Sequence, residues 1–333
     1  MAEKFEQLKV TNYLDNFFTL IVFLLLLSGF LGPGFWKIKS LHLNLIVDQK
    51  SLSKNIININ KLEKLHLNKN YLSSDQINEK DKVLSWSNQI SKNAESQIPL
   101  PRMYFPHIPK NMDEYEVSEK KKVFLSILLP IALRGNELVL EERRLMKVAF
   151  LTNNIYKIEY FAKRYNVKNY KKLNFGNLTS LELNIIKKEL LIKVNKIPIS
   201  MIIAQAIIES GWGSSRFAKE GNALFGEWTW QNNVGIKPKG NLDANFAVKS
   251  FENLLQSLNS YILNLNRHTA YKKMRVFRAL TFKTGKKFNG YDTAFYLENY
   301  AEIGLDYVTK VTEMINSNKL YRFENSALEN YYN

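Results

Sequence analysis

Met201-Ile202-Ile203-Ala204-Gln205-Ala206-Ile207-Ile208-Glu209-Ser210-Gly211-Trp212-Gly213 sets one carboxylate at the end of a run that is apolar on nearly every side. Such a run reads as a buried helix, because a surface helix keeps a polar face. Burial disfavours the ionised form of a lone carboxylate and raises its pKa. A carboxyl kept protonated near neutral pH is what a general acid needs to protonate a glycosidic oxygen. Gly211 and Gly213 end the helix and let the backbone approach a ligand. Trp212 and Trp228 add flat apolar faces of the kind that stack on sugar rings.

Working outward, Pro198 and Ser200 open this helix, with Ser200 as its expected N-cap. After it, Leu224 to Trp230 and Asn245 to Phe251 are expected to pair as a hairpin, with Asn232 to Ala244 as its polar loop. Helices then resume, with Leu254, Leu255, Leu258, Tyr261, Ile262 and Leu265 on one apolar face and Val308, Val311 and Ile315 marking the last helix. Upstream, Leu181 to Lys193 reads as an amphipathic helix. From Ser118 to Tyr165 the pattern is also helical, on Val123, Phe124, Ile127, Leu128 and Ile131, then Leu138, Leu145, Val148 and Leu151. The fold class is therefore mainly α, with one small β-hairpin after the key helix.

The chain has 333 residues, enough for one or two domains with a substantial core. It has no cysteine, which excludes disulfides, thiolate metal sites and a cysteine nucleophile. Its four histidines show no ligand spacing, so neither a metal nor a cofactor is expected. The net charge of +16 favours an anionic partner, although lysine, asparagine and isoleucine are abundant throughout. No helix-turn-helix cue or RNA-binding aromatic signature accompanies the charge, and no nucleic-acid partner is expected. Asn16 to Trp36 carries no charge and is about long enough to cross a bilayer, so residues 14–36 read as an N-terminal transmembrane anchor or an uncleaved signal.

Residues 1–13 are then a flank, 37–97 a polar stalk, 98–180 a helical first part of the folded region, 181–318 the catalytic domain and 319–333 a tail. Between Asn253 and Tyr291 there is no acidic residue, while Arg267, Lys272, Lys273, Arg275, Arg278, Lys283, Lys286 and Lys287 are all present. That segment reads either as a solvated basic face or as a landing surface for an anionic polymer.

Several stretches resemble the Bax-type glucosaminidase-domain proteins, within the lysozyme-like glucosaminidases of glycoside hydrolase family 73. They are Ala204 to Ala218, Glu220 to Trp230, Asn264-Leu265-Asn266-Arg267-His268-Thr269-Ala270-Tyr271, and Tyr300-Ala301-Glu302-Ile303-Gly304-Leu305-Asp306-Tyr307-Val308. The resemblance runs from about Ile98 to Asn318. It implies a lysozyme-like α+β fold and hydrolysis of β-1,4-linked N-acetylglucosamine in peptidoglycan. It also implies Glu209 as the acid, Tyr300 beside the reacting sugar, and the substrate's own acetamido oxygen as nucleophile. The matching location is the inner membrane of a Gram-negative bacterium, with the catalytic domain in the periplasm.

On the return strand relatives often carry a glutamate where this chain has Ala247. Candidate second acids are therefore Glu227 and Asp243, and a wall-binding scaffold without activity is an alternative to the enzyme. A lytic transglycosylase-like reaction on the same fold is another. Trp212, Asn222, Phe225, Trp228 and Trp230 are the candidate substrate-binding residues. Each also has a plainer reading: core packing for the aromatics, a helix cap for Asn222, and an exposed strand position for Glu227. His268 is expected to be a structural hydrogen-bonder at a helix end. For Glu209 the plainer reading is a core ion pair with Arg216.

Overall fold

The computed structural model describes residues 71–231, 235–239 and 245–330. The expected membrane segment 14–36, the stalk up to residue 70, and Asp243 lie outside the described residues. Asn70–Asn333 form one compact unit. In chain order its helices are α1 (Ser74–Asn78), α2 (Lys80–Glu95), α3 (Val117–Leu151), α4 (Ile155–Arg164), α5 (Ser180–Lys193), α6 (Ile199–Ser210) and α7 (Arg216–Gly221). The hairpin strands β1 (Trp228–Thr229) and β2 (Ala247–Val248) follow. The last four helices are α8 (Leu254–Arg267), α9 (Lys272–Lys283), α10 (Gly290–Ala294) and α11 (Leu305–Ser317). The described fold is mainly α with one small antiparallel sheet, as the lysozyme-like reading requires.

Helix α6 is the axis of the unit. Every residue from Ile199 to Ile207 is buried, and α3, α10, α11 and the turn Leu320–Phe323 pack around it. Each fully buried isoleucine removes enough apolar surface from water to contribute about 1.5–3 kcal/mol. Gly290 at the start of α10 is pressed so close that a β-carbon there would sit 2.6 Å from the Met201 nitrogen. Any side chain at this position would force α10 away from α6.

Helix α3 is long and apolar enough to span a bilayer, yet 78% of its apolar window is buried inside the protein, so it is a core helix. Its first half buries Val123, Phe124, Ile127, Leu128 and Ile131 as the periodicity predicts. In the second half Val148 and Leu151 are exposed, and Val139, Met146 and Ala149 turn inward instead. That inner face meets α4 and α5 in a cluster of Met146, Ile158, Phe161, Tyr165, Ile186 and Leu190. The helices upstream of Leu181 thus share one core with α5.

Two segments differ from the expectation. Residues 71–97, assigned to a polar stalk, include α2, whose Val83, Ser87, Ile90 and Ala94 are buried against α3. Residues 319–330, assigned to a tail, bury Leu320, Phe323 and Leu328. There the Leu100 amide donates to the Ala327 carbonyl at 2.8 Å and the Glu329 amide to the Leu100 carbonyl at 2.9 Å. A few apolar side chains at the right spacing suffice to dock otherwise polar stretches.

The hairpin is present but short. Trp228 pairs with Val248 and Thr229 with Ala247, and Ile236 bridges to the other edge of Val248. Leu224 to Glu227, expected as strand, are irregular chain packed on the core.

Candidate active site

Glu209 occupies the last turn of α6, and the chain turns sharply behind it. Gly211, Trp212 and Gly213 take consecutive left-handed conformations, with φ of 57°, 58° and 76°. Gly211 tolerates this freely, whereas a tryptophan there is strained, and such strain clusters at functional sites. The Gly213 amide donates to the Ser210 hydroxyl at 3.0 Å, and the Ser215 amide to the Ser210 carbonyl at 2.9 Å. These bonds hold the turn that leaves the Glu209 carboxyl at the protein's edge.

A chain of hydrogen bonds orients that carboxyl. The Tyr261 hydroxyl donates to Gln205 Oε1 at 2.6 Å. Gln205 Nε2 donates to the Tyr307 hydroxyl at 3.0 Å. The Tyr307 hydroxyl donates to Glu209 Oε1 at 2.7 Å. Gln205 lies four residues before Glu209, on the same face of α6. Burial pushes the Glu209 pKa above the ordinary carboxylate range, and the bond from Tyr307 offsets only part of that rise. The negative end of the α6 dipole acts in the same direction as burial. Arg216, the basic partner considered for a core ion pair, is bonded instead to Glu220 and the Lys237 carbonyl. The Oε2 atom faces Gly226, where an added β-carbon would sit 3.8 Å away.

Tyr300 belongs to the same cluster. Its ring stacks on Tyr307 at 5.0 Å and 15°, with Tyr261 and Tyr271 at 6.4 and 6.1 Å. Burial and the neighbouring tyrosines raise its pKa well above normal, so it stays a neutral phenol. It is half-buried, and its hydroxyl makes no hydrogen bond to any described residue.

The remaining sequence candidates divide. Trp228 and Trp230 are 55% and 70% exposed, with Trp228 tilted on Phe246, so both keep an accessible face. Trp212 is half-buried, edge-on to Phe124 and beneath the Lys121 ammonium. Phe225 is buried and stacked on Tyr261 at 3.9 Å, so it braces the tyrosine cluster.

Asn222 is also buried. Its left-handed backbone caps α7, Nδ2 donates to the Phe251 carbonyl, and Oδ1 pairs with His107. Asn222 thus caps the helix, and both polar atoms of its buried side chain are engaged within the protein. His268 caps the turn Thr269–Tyr271 by accepting from the Ala270 amide.

Glu227 differs from the exposed strand residue expected. It is half-buried just before β1, and burial raises its pKa. Ser260 Oγ donates to its Oε2 at 2.7 Å, Lys249 Nζ lies 3.9 Å away, and Oε1 is buried without a hydrogen-bond partner. Ala247 is buried in β2 opposite Thr229 and packs beneath Gly235. Among the described residues no group of histidine, cysteine or carboxylate side chains is arranged to hold a metal ion.

Sequence reasoning missed Tyr307, Gln205 and Tyr261 as partners of the acid. Gln205 carried a signal, being the one polar residue within the apolar run, one turn before Glu209. Arg275 and Arg278 were read as part of a basic face but are buried. Arg278 donates to the Ile192, Lys193, Asn195 and Lys196 carbonyls and to Asn266 Oδ1, which closes the C-terminal end of α5.

Comparison with known proteins bears on this geometry. Residues 187–320 match the Glucosaminidase family model, described as mannosyl-glycoprotein endo-beta-N-acetylglucosaminidase. The chain is also 29% identical to Protein bax of Escherichia coli (strain K12) over 213 residues, covering 60% of this chain and 70% of that protein. No solved structure matches it. The matched region contains α6, the hairpin, the tyrosine cluster and α11, and the match supports a glycosidase role. The domain match and the relative agree in making this chain similar to the Bax-type glucosaminidase-domain proteins.

Proposed function

We propose that this protein is a peptidoglycan hydrolase that cleaves the β-1,4 bond following N-acetylglucosamine, with Glu209 as general acid. The observation that carries this reading is a carboxyl whose pKa is raised by burial, oriented by one phenol and with no cationic partner among the described residues. In the reaction, protonated Glu209 gives its proton to the departing glycosidic oxygen. The acetamido oxygen of the same sugar forms a bond to the anomeric carbon as the glycosidic bond breaks. Water then opens the cyclic intermediate, returning a proton to Glu209. Tyr300, with its unspent hydroxyl beside Glu209, donates to the acetamido group or steadies the positive charge. Trp228 and Trp230 supply stacking faces at the hairpin edge. No second carboxylate is required, which accords with alanine at position 247. Residues 14–36 hold the chain in the inner membrane and the catalytic domain works in the periplasm.

The buried Ala247 also favours a second reading, a wall-binding scaffold on the same fold, and lytic cleavage is a third. One experiment separates them. The full chain and its Glu209→Gln variant are incubated with purified peptidoglycan, and the products are analysed by mass spectrometry after borohydride reduction. Reducing N-acetylglucosamine ends, absent with the variant, are expected. Anhydro ends would move the assignment to lytic cleavage. Retained wall binding without products would establish the scaffold.

A further inference from the structure

Between the loop 166–172, α5 and the start of α9 lies a groove of about 840 Å³ that the reaction above does not use. Lys168, Lys171, Lys172, Lys188 and Lys272 surround it, all exposed, and none forms an ion pair with a described residue. Glu189 is the one acidic residue in its lining. Its carboxylate is already occupied by Lys193 at 2.9 Å and the Lys168 amide at 3.1 Å. Exposed aliphatic side chains, Ile185, Ile192 and Val276, lie between the lysines. The groove is thus a concave, net-cationic surface with an aliphatic floor.

Its position relative to the acid is set by one short segment. Thr269 and Lys272 line the groove, while Tyr271 between them packs on Tyr300 and feels the charges of Glu227 and Glu209. The segment Thr269–Lys272 is therefore the wall shared by the catalytic side and the groove.

We propose that this groove binds an acidic peptide with small apolar side chains, namely the stem peptide carried by the glycan strand whose sugar lies at Glu209. This rests on the wall-glycan reading above and adds to it a second point of recognition. Several carboxylates along a peptide match the five unpaired ammonium groups, and methyl-sized side chains match the aliphatic floor. A nucleic acid would ask instead for stacking platforms, and Tyr170 is the one aromatic residue in the lining. A lipid surface would ask for a protruding apolar face, and this site is concave.

The test measures binding alone, in the full chain carrying Glu209→Gln, so its outcome is independent of whether the protein cleaves glycan. Three forms are compared by co-sedimentation with purified sacculi. They are the parent, a groove variant (Lys168, Lys171, Lys172, Lys188 and Lys272, each to Gln), and a charge-matched control (Lys147, Lys163, Lys286, Lys287 and Lys310, each to Gln). Sacculi are used native or with their carboxyl groups amidated. The parent and the control should bind native sacculi equally, with affinity falling as salt rises. The groove variant should bind about tenfold or more weakly, since several exposed ion pairs are lost together. Amidated sacculi should reduce the parent to the level of the groove variant. Equal losses in the groove variant and the control would reduce the effect to net charge and overturn the proposal. So would undiminished binding to amidated sacculi, or a groove-dependent preference for DNA or for anionic phospholipid vesicles over native sacculi.

Discussion

The two ends of α6 each hold a half-buried or buried glutamate, and their surroundings give them opposite tasks. At the N-terminal end, Glu324 accepts from the Ile199 amide at 3.0 Å, the Gly290 amide at 2.7 Å and the Ser200 hydroxyl. It therefore serves as the cap that Ser200 was expected to provide, and it ties the C-terminal turn, α10 and α6 together. At the C-terminal end, Glu209 accepts one bond, from Tyr307, and turns its other oxygen toward Gly226. The helix dipole favours a carboxylate at the first end and disfavours it at the second. A carboxylate surrounded by donors is structural. One with a single donor, an open oxygen and an unfavourable dipole is suited to giving up a proton.

The largest effect that follows is Glu209→Gln. Loss of the acid should lower wall hydrolysis by about 10²–10⁴-fold. Because burial makes the ionised form unfavourable in the fold, the melting temperature at pH 7 should be no lower than that of the parent. A variant that lost activity and stability together would place Glu209 in the same structural class as Glu324.

Glu324→Gln should do the reverse. A glutamine turns a donor toward donors, and each buried group left unsatisfied costs about 1–3 kcal/mol. Burial also raises the Glu324 pKa in the fold despite its hydrogen bonds. Its contribution to stability is thus complete below the ordinary carboxylate pKa and declines as pH rises through the raised value. The deficit of the variant in urea melts should therefore be larger at pH 4 than at pH 8. Activity per folded molecule should stay within about twofold of the parent, since this substitution sits at the far end of the helix.

Tyr307→Phe tests what orients the acid. Tyr307 lowers the Glu209 pKa by donating to it, so removing the hydroxyl should raise that pKa further. The limb on which activity falls with rising pH should move to higher pH, while turnover drops about tenfold as the carboxyl loses its orientation. Tyr300→Phe should lower turnover without moving that limb, because its hydroxyl does not touch Glu209. If both variants shifted the limb equally, the effect would belong to the aromatic cluster as a medium and not to one hydrogen bond.

The sequence made the C-terminal end of α6 legible because its signal is local. Glu209, the apolar run before it and the glycines after it are contiguous, and the faces of α8 and α11 follow from helical spacing. The structural end was not legible. Glu324 lies more than a hundred residues from Ile199, within a stretch whose composition reads as a tail. The tyrosine relay joins positions 205, 261 and 307, which only the packing of three helices brings together. Arg278 looked like one more lysine-rich surface position, because nothing local distinguishes an arginine that closes a helix end from one in solvent. In the second half of α3, Val148 and Leu151 misled the phase, since they are exposed while Met146 and Ala149 face the neighbouring helices.

The smallest expected effect is at Glu227, a third glutamate whose pKa burial raises. It sits one residue from Gly226 and shares the electrostatic surroundings of Tyr271 with Glu209. It also bonds Ser260 on α8 and lies near Lys249 just after β2, which marks it as a clasp at the hairpin base. In Glu227→Gln the new amide would keep an oxygen for Ser260 and lose a partly exposed ion pair worth about 1 kcal/mol or less. The variant should therefore slow wall hydrolysis only about threefold, through looser placement of Trp228 and Trp230. Substrate assistance needs one carboxyl and a two-carboxyl mechanism needs both. A loss for Glu227→Gln as large as that for Glu209→Gln would thus move the nucleophile or base from the acetamido group to the protein. It would also mean that one free, buried oxygen, here Glu227 Oε1, marks a reacting group even when the other oxygen is engaged in holding the fold.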